Sequence, residues 1–468
     1  MTTENRRNKA NAGILERNSD LSLNSAMVDK AKREESILPD SQYHTHIAKI
    51  EGMVNDYNIQ EATKAVIRNK GAPGVDGITT KEITDVLKIQ WPKIKQDILN
   101  GTYRPSPVRR VEIPKPDGSG VRKLGIPTVM DRIIQQAIYQ EIVYTFEPTF
   151  SDSSYGFRLG RRAEQAVLKA QTYIKEGCDW VVDIDLEKFF DRVNHDILMA
   201  RVARKVKDKK LLLLIRRYLQ AGVMEEGLIQ PTEEGTPQGG PLSPLLSNIM
   251  LDDFDKELEK RGLRFARYAD DCNIYVRTEI AGQRVMKSVV KYLTIKLKLK
   301  VNEQKSAVAR PWERKFLGFT FGKEKEFGKI KIHESRVKRL KDKIRGLTKK
   351  MRGSNVSEKI RKVIMPITRG WANYFGIAEI HWPFQNLDGW IRRKIRTTLW
   401  RQWKNHRTRW KKLMALGLRR DKAKDCASGG KGPWRMARTP GMHKALSNNA
   451  IENMGYIPMM TLVCARSQ

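Results

Sequence analysis

Two adjacent carboxylates, Asp270 and Asp271, lie between two short runs of strand-forming residues, 265–269 and 272–276. These runs predict two strands that are joined by a tight acidic turn. Adjacent buried carboxylates repel each other unless a cation neutralises them. Mg²⁺ prefers carboxylate oxygens, and two such ions can clamp the reacting oxygens of a nucleotidyl transfer. The pair therefore indicates a metal site, and a solvated acidic turn is the alternative on this motif alone.

A second acidic pair, Asp183 and Asp185, falls in an otherwise apolar run over 180–186. Alternation along a strand puts both side chains on one face. Carboxylates at the end of a buried strand need a cation partner, which again predicts a metal. An exposed pair of strand residues is the alternative.

Further short motifs accompany these carboxylates in a fixed order along the chain. They occupy residues 71–77, 124–127, 131–132, 154–158, 183–195, 235–244, 268–271, 301–305 and 316–319. Together they resemble the motifs of reverse transcriptases encoded by group II introns, in which Ala is the second residue of the Tyr-Ala-Asp-Asp sequence at 268–271. The resemblance covers about residues 46–455.

The resemblance implies that Asp185, Asp270 and Asp271 are the catalytic residues and the ligands of two Mg²⁺ ions, with Mn²⁺ as the alternative ion. Asp183 is the alternative for the first ligand, because both aspartates fit the end of a strand. The distance along the chain to the aromatic pair at 189–190 favours Asp185.

The resemblance also implies a binding site for the incoming deoxynucleoside triphosphate. Phe190 would pack on the sugar and exclude a 2′-hydroxyl, or it is a plain core residue. Lys115 and Arg122 would lie over the triphosphate, whose charge suits a guanidinium and an ammonium. Gln238 would contact the nucleotide and Lys305 would assist the leaving pyrophosphate, although each basic residue is alternatively surface charge.

The chain carries 89 Lys and Arg against 53 Asp and Glu, a net charge of +36. Residues 331–468 hold 33 of these basic residues and 8 of the acidic ones, so +25 of the excess lies there. Such a surface favours a polyanionic partner, because binding releases the counterions around phosphates. The four cysteines form no CxxC pair, which argues against zinc fingers and disulfides and fits a reducing cytosol.

The segment 391–420 contains 12 Lys and Arg, no acidic residue and three tryptophans. An unbroken helix would place Trp400, Trp403, Arg407 and Trp410 on one broad face, where indoles stack on bases and cations bind phosphates. Alternatively the indoles belong to the core. The candidate nucleic-acid-binding residues are Arg392, Arg393, Lys394, Arg407, Arg409, Lys411 and Lys412.

The predicted fold is α+β, a right-hand polymerase followed by a small helical basic DNA-binding domain. The predicted parts are a polar extension (1–45), fingers with part of the palm (46–179), a palm (180–330), a helical thumb or maturase region (331–392) and a basic DNA-binding region (393–468). The chain ends without a cysteine-paired endonuclease, which resembles the compact class of bacterial group IIC introns.

The predicted function is RNA-directed DNA synthesis coupled to splicing and mobility of an intron. The expected partners are intron RNA, an RNA template, a DNA primer or target and dNTPs. No membrane partner is expected, since no apolar run approaches the roughly 18 residues of a span. A bacterial cytoplasmic location follows, and the sequence does not predict an oligomeric state. The alternatives are a splicing-only maturase and a related enzyme of phage defence or DNA repair.

Overall fold

The computed structural model describes residues 46–114, 120–225, 228–230, 234–235, 239–351 and 353–466. Two compact units divide the chain, Met1–Arg310 and Pro311–Gln468. Lys115 and Gln238 lie outside the described residues, as does the predicted extension 1–45. Arg122 belongs to a described strand, but its side chain is outside the described part.

The first unit contains nine described α-helices, and the one over Val129–Phe146 is buried along most of its length. In chain order they are α1 (Ile50–Met53), α2 (Asp56–Asn69), α3 (Ile83–Leu99), α4 (Val129–Phe146), α5 (Ala163–Lys175), α6 (His195–Val202), α7 (Lys209–Gln220), α8 (Ser243–Lys260) and α9 (Glu279–Lys296). Thr128 caps α4, because its hydroxyl accepts a hydrogen bond from the Asp131 N–H at 3.0 Å. Since α4 is apolar on most sides, it is buried along nearly its whole length.

The first part of the chain contains a β-hairpin. Strands β1 (Val108–Pro114) and β2 (Val121–Ile126) pair antiparallel, and β1 also pairs with β4 (Val223–Glu225), which is followed by β5 (Leu228–Gln230). The sheet order is β2-β1-β4-β5.

A second four-stranded sheet contains the acidic motifs. It consists of β3 (Trp180–Ile184), β6 (Arg264–Tyr268), β7 (Asp271–Val276) and β8 (Ala307–Ala309), all antiparallel in the order β6-β7-β3-β8. On one face α9 packs closely, because Gly282 has no side chain and lies against Val182, Val276 and Val308. The predicted strands around the acidic turn are confirmed, with Asp271 as the first residue of β7.

The second unit begins with the hairpin β9 (Phe319–Phe321) and β10 (Ile330–Ile332) and is otherwise helical. Its helices are α10 (Glu334–Lys349), α11 (Val356–Lys359), α12 (Met365–Phe375), α13 (Trp382–Gln402), α14 (His406–Ala415), α15 (Arg420–Ala427), α16 (Pro433–Met436), α17 (Pro440–Ala445), α18 (Asn448–Asn453) and α19 (Met459–Cys464), with a π-helical turn over Ile360–Ile364. The α+β class is confirmed.

The tryptophans could share one broad face only on an unbroken helix over 391–420, and the structure has no such helix. Helix α13 ends at Gln402 and α14 begins at His406, because the Asn405 side chain accepts a hydrogen bond from the Thr408 N–H at 2.8 Å and caps a new helix. Trp400 and Trp403 are 1% and 6% exposed and belong to the core of this unit. Neither indole is therefore available to stack on bases, which was the alternative for these residues. None of the described helices is long and apolar enough to cross a membrane.

Candidate active site

The ends of β3 and β7 bring two acidic motifs side by side. The last pairs of this antiparallel ladder are Asp183 with Asn273 and Ile184 with Cys272. Continued by one residue, the same register sets Asp185 opposite Asp271. Partners that lie directly opposite in an antiparallel pair have side chains on the same face. Asp270 lies in the turn between β6 and β7, at the same end of the sheet.

Asp185 is held by its backbone while its carboxylate reaches solvent. Its N–H donates to the Ser306 hydroxyl at 3.0 Å, and its carbonyl accepts from the Asn302 N–H at 2.8 Å. The side chain is 44% exposed, and its Oδ2 lies 4.0 Å from Lys305 Nζ. An ion pair this exposed to solvent is weak, so the Lys305 ammonium can exchange Asp185 for a phosphate.

Asp183 has a different environment. It is 9% exposed, and the Asn273 amide, oriented with its nitrogen towards Asp183, donates to Oδ1 at 3.0 Å. Burial raises the pKa of the neighbouring Tyr275 hydroxyl and of the Cys272 thiol well above their ordinary values, so both stay neutral. The Asp183 carboxylate therefore accepts a hydrogen bond within the sheet, whereas the Asp185 carboxylate is exposed to solvent.

The turn that carries Asp270 is tightly packed. Ala269 has a left-handed backbone with φ of +58°. Gly156 approaches this turn so closely that an added Cβ would lie 2.3 Å from the Ala269 nitrogen. Arg267 donates to the Ala269 carbonyl at 2.8 Å and forms a buried ion pair with Asp255. The sequence reasoning missed Arg267 and Asp255, because no local pattern distinguishes either from the other charged residues of β6 and α8.

Within the motif over 235–244, which we call the glycine-rich loop, Gly235 and Gly239 both lie against neighbouring elements. Gly235 donates its N–H to the Val193 carbonyl at 2.8 Å, and the His195 ring lies 2.6 Å from the Gly235 carbonyl. A Cβ at Gly239 would lie 2.8 Å from the Gly125 carbonyl. Gly235 thus lies beside the turn after β3, and Gly239 lies beside β2.

Phe190 lies in that turn, a 3₁₀ helix over Phe189–Asp191. Phe189 is 3% exposed, whereas Phe190 is half-buried and packs edge-to-face on it, with the ring centroids 5.3 Å apart. An added Cβ at Gly235 would lie 2.8 Å from the Phe190 carbonyl. Phe190 thus adjoins both the carboxylate motif and the glycine-rich loop.

The three aspartates suit a metal ion that is bound jointly by the protein and the substrate. Within the described ranges, no group of three or more His, Cys, Asp or Glu residues is arranged as a complete metal site. Mg²⁺ is usually bound by one or two carboxylates together with substrate phosphates and water. The half-exposed Asp185, Asp270 and Asp271 at one sheet end fit this mode of binding.

The candidate nucleic-acid-binding residues of the second unit divide into two groups. Arg407, Lys411 and Lys412 are exposed. Arg409 is half-buried, donates to the Trp403 carbonyl at 2.9 Å and lies 4.5 Å above the Trp400 ring. The guanidinium of Arg409 therefore stabilises the end of α13.

Residues near the middle of α13 form a dense basic cluster with two indoles. Lys394 lies 5.4 Å from the Trp390 ring centroid and 4.8 Å from that of Trp434, while Arg393 stacks on Trp434 at 3.7 Å and donates to its carbonyl. Burial lowers the pKa of Lys394, and neighbouring cations lower it further. We call the group the α13 basic surface: Arg345, Lys349, Trp390, Arg393, Lys394, Arg401 and Trp434. Arg345 also pairs with Asp342.

Two known domain families match parts of this chain. Residues 113–321 match the reverse transcriptase (RNA-dependent DNA polymerase) family, and residues 337–416 match the group II intron maturase-specific domain. The chain therefore carries a reverse transcriptase domain, the domain of divalent-metal-dependent polymerases, followed by a maturase domain. The predicted resemblance to group II intron reverse transcriptases with a maturase region is confirmed.

Individual proteins also resemble parts of this chain. Protein YkfC of Escherichia coli (strain K12) is 38% identical over 211 residues, which cover 44% of this chain and 55% of YkfC. The group II intron-encoded protein LtrA of Lactococcus lactis subsp. cremoris is 35% identical over 249 residues, which cover 53% of this chain and 40% of LtrA. The chain thus spans about half the length of these relatives. A chain in a solved structure of a partial Cas6-RT-Cas1–Cas2 complex is 23% identical to this one. The match covers 53% of this chain and 42% of that chain, with a TM-score of 0.34.

Proposed function

We propose that the protein is an RNA-directed DNA polymerase in which Asp185, Asp270 and Asp271 hold two Mg²⁺ ions. The observation that carries the proposal is the antiparallel ladder of β3 and β7, which ends with Ile184 opposite Cys272. The next residues, Asp185 and Asp271, therefore lie at the same end of the sheet as the turn of Asp270. Asp185 is preferred to Asp183 because its carboxylate is 44% exposed, whereas Asp183 is 9% exposed beside the Asn273 amide.

Bound at this site, the ions would activate the primer 3′-hydroxyl and neutralise charge on the phosphates. The protein groups position the reactants around them. Lys305, whose ammonium lies 4.0 Å from Asp185, would exchange this weak pair for the phosphates of the nucleotide. Lys115, Arg122 and Gln238 are proposed to contact the same nucleotide, on the strength of the family resemblance.

Phe190 would select the deoxyribose. Its ring is half-buried against Phe189, which limits its freedom to move, and its backbone adjoins Gly235. A ring fixed at this point would clash with a ribose 2′-hydroxyl and leave a deoxyribose in place. The core alternative is weakened because Phe189, and not Phe190, fills the buried position.

The second unit would bind intron RNA and the template–primer duplex. The α13 basic surface supports this role, since cations from α10 and α13 surround two half-buried indoles. Phosphates bind such cations with release of counterions, and nucleotide bases stack on exposed aromatic rings. Assistance of splicing and mobility, and assignment to the compact group IIC class, rest on the maturase-domain match and the motif resemblance.

The test is primer extension on poly(rA)/oligo(dT) with Mg²⁺. Asp271→Asn keeps the shape of the side chain and removes one ligand charge, so synthesis should fall by at least a thousandfold while RNA binding persists. Asp196→Asn is the matched control, because Asp196 is a 77% exposed surface aspartate that pairs with Arg216. Synthesis by Asp271→Asn at the level of the control would overturn the assignment. A wild-type chain that binds RNA but never extends a primer would instead support a splicing-only maturase.

A further inference from the structure

Arg267 on β6 is a buried arginine whose hydrogen-bonding capacity is completely used. The side chain is 1% exposed. A guanidinium has five N–H donors. Here they donate to Asp255 Oδ1 (2.7 Å), Asn248 Oδ1 (3.1 Å), the Ala269 carbonyl (2.8 Å), Ser154 Oγ (2.8 Å) and Asp255 Oδ2 (2.5 Å).

This arginine lies beneath the acidic turn. It pairs across the ladder with Cys272, which in turn pairs with Ile184 of β3. These three residues therefore point to the core face of the sheet, whereas Asp183 and Asn273 point to the other face. Arg267 thus supports the turn from the side opposite to the carboxylates.

The arginine connects the turn to two other segments. Asp255 and Asn248 belong to α8, and Asp255 is completely buried. Ser154 belongs to a stretch that runs alongside β6, where the Arg267 N–H donates to the Ser153 carbonyl at 2.9 Å. Removing one member of such a buried pair leaves an uncompensated charge, which is strongly destabilising. The pair and its neighbours therefore define one orientation of the turn.

The turn needs this support for two reasons. Ala269 adopts φ of +58°, a left-handed conformation that is unfavourable for a residue with a side chain. Asp270 and Asp271 are also adjacent carboxylates that repel each other before a metal binds. The bond from Arg267 to the Ala269 carbonyl fixes the peptide that joins Ala269 to Asp270, and this peptide determines where the Asp270 side chain begins.

We propose that Arg267, held by Asp255, is a positioning residue that pre-orients the Asp270–Asp271 turn for metal binding. The inference rests on the proposed polymerase function, because it takes these aspartates as metal ligands. Partners that orient metal ligands typically contribute 10–100-fold to metal affinity or activity. Lys has only three donors and no planar fork, so Arg267→Lys keeps the charge and loses the geometry.

The test measures Mn²⁺ binding to the full chain by electron paramagnetic resonance, together with primer extension. Arg267→Lys should bind Mn²⁺ at least tenfold more weakly than wild type. The metal concentration for half-maximal synthesis should rise by a similar factor. Ser154→Ala, which removes one acceptor and leaves the ion pair, should show a smaller shift and keeps the test available if Arg267→Lys does not fold. Circular dichroism checks folding.

Asp253→Asn is the matched control. Asp253 lies on the same helix as Asp255, two residues away, and its carboxylate pairs with Arg201 at 2.9 Å and with Arg204. It should lose stability without a change in Mn²⁺ affinity. Wild-type Mn²⁺ affinity in folded Arg267→Lys would overturn the inference, and so would wild-type affinity in Ser154→Ala if Arg267→Lys does not fold. A wild-type chain that binds Mn²⁺ but extends no primer would overturn the polymerase function, and the comparison of Mn²⁺ affinities would still test Arg267.

Discussion

Replacing Gly156 with Ala should displace the turn that carries Asp270 and thereby slow catalysis. The added Cβ would lie 2.3 Å from the Ala269 nitrogen and 2.9 Å from the Tyr268 carbonyl carbon. Ordinary contacts between such atoms are about 3.5 Å, so one backbone must move by about 1 Å. Both partners are backbone atoms, which cannot be relieved by a change of side-chain rotamer.

The expected magnitude follows from this displacement. A misplacement of about 1 Å can cost roughly a hundredfold in rate, and overpacking costs about 1–3 kcal/mol of stability. We therefore expect kcat for primer extension to fall about a hundredfold, while the dissociation constant for primer–template changes little. Single-turnover extension at saturating dNTP separates the chemical step from binding.

Gly160→Ala provides the control. Gly160 lies four residues further along the chain, has φ of +66° and has open space around the position of a Cβ. Its substitution costs about 1–2 kcal/mol in backbone strain, comparable with the cost at Gly156, without contact with the turn. Equal kcat values for the two folded variants would refute the reasoning, because the loss at Gly156 would then reflect stability alone.

Three other predictions concern the nucleotide and the nucleic acid. Phe190→Val should admit ribonucleotides and leave the melting temperature within a few degrees, as measured by competing dNTP and rNTP incorporation; unchanged discrimination would return Phe190 to a core role. Lys305→Gln should raise the KM for dNTP more than it lowers kcat. The Lys305 side chain is 62% exposed with its ammonium 4.0 Å from Asp185, and it would contact phosphate only when the nucleotide binds. An unchanged KM would contradict this prediction. Replacing Lys349, Lys394 and Arg401 by Gln should flatten the salt dependence of RNA binding by up to roughly 0.7–0.9 in log–log slope per lost contact. The same change at Arg407, Lys411 and Lys412 tests α14 as the competing surface.

Motifs in which the chemistry itself constrains the residue type could be predicted from the sequence. The strand around Asp183 and the hairpin around Asp271 were predicted because apolar runs interrupted by carboxylates are unusual. The sequence alone left Asp183 and Asp185 as alternatives, since both alternate onto one face. The distance to the aromatic pair at 189–190 favoured Asp185, and the tertiary environment adds a second distinction through the Asn273 amide beside Asp183 and the 44% exposure of Asp185.

The basic helices show where sequence periodicity is insufficient. The indoles of Trp400 and Trp403 have a spacing that fits an exposed basic face, yet both are buried. The cap at Asn405 interrupts the helix, and Arg409 then turns back onto the Trp400 ring. By contrast, the grouping of Lys394 with Arg345 and Trp434 joins residues far apart in the chain. No local sequence pattern predicts such a cluster.

Arg267 was missed for a related reason that bears on the site as a whole. In the sequence it lies in a strand of a highly basic chain, and no local pattern distinguishes it from the other arginines. Its partner Asp255 is one of several acids on α8, and nothing local distinguishes it from Asp253, which pairs near the surface. Residues that touch substrate are restricted by chemistry, so a motif reveals them. Residues that orient them are restricted by tertiary contacts, and a guanidinium with five satisfied donors beneath an acidic turn is visible only once the sheet has formed.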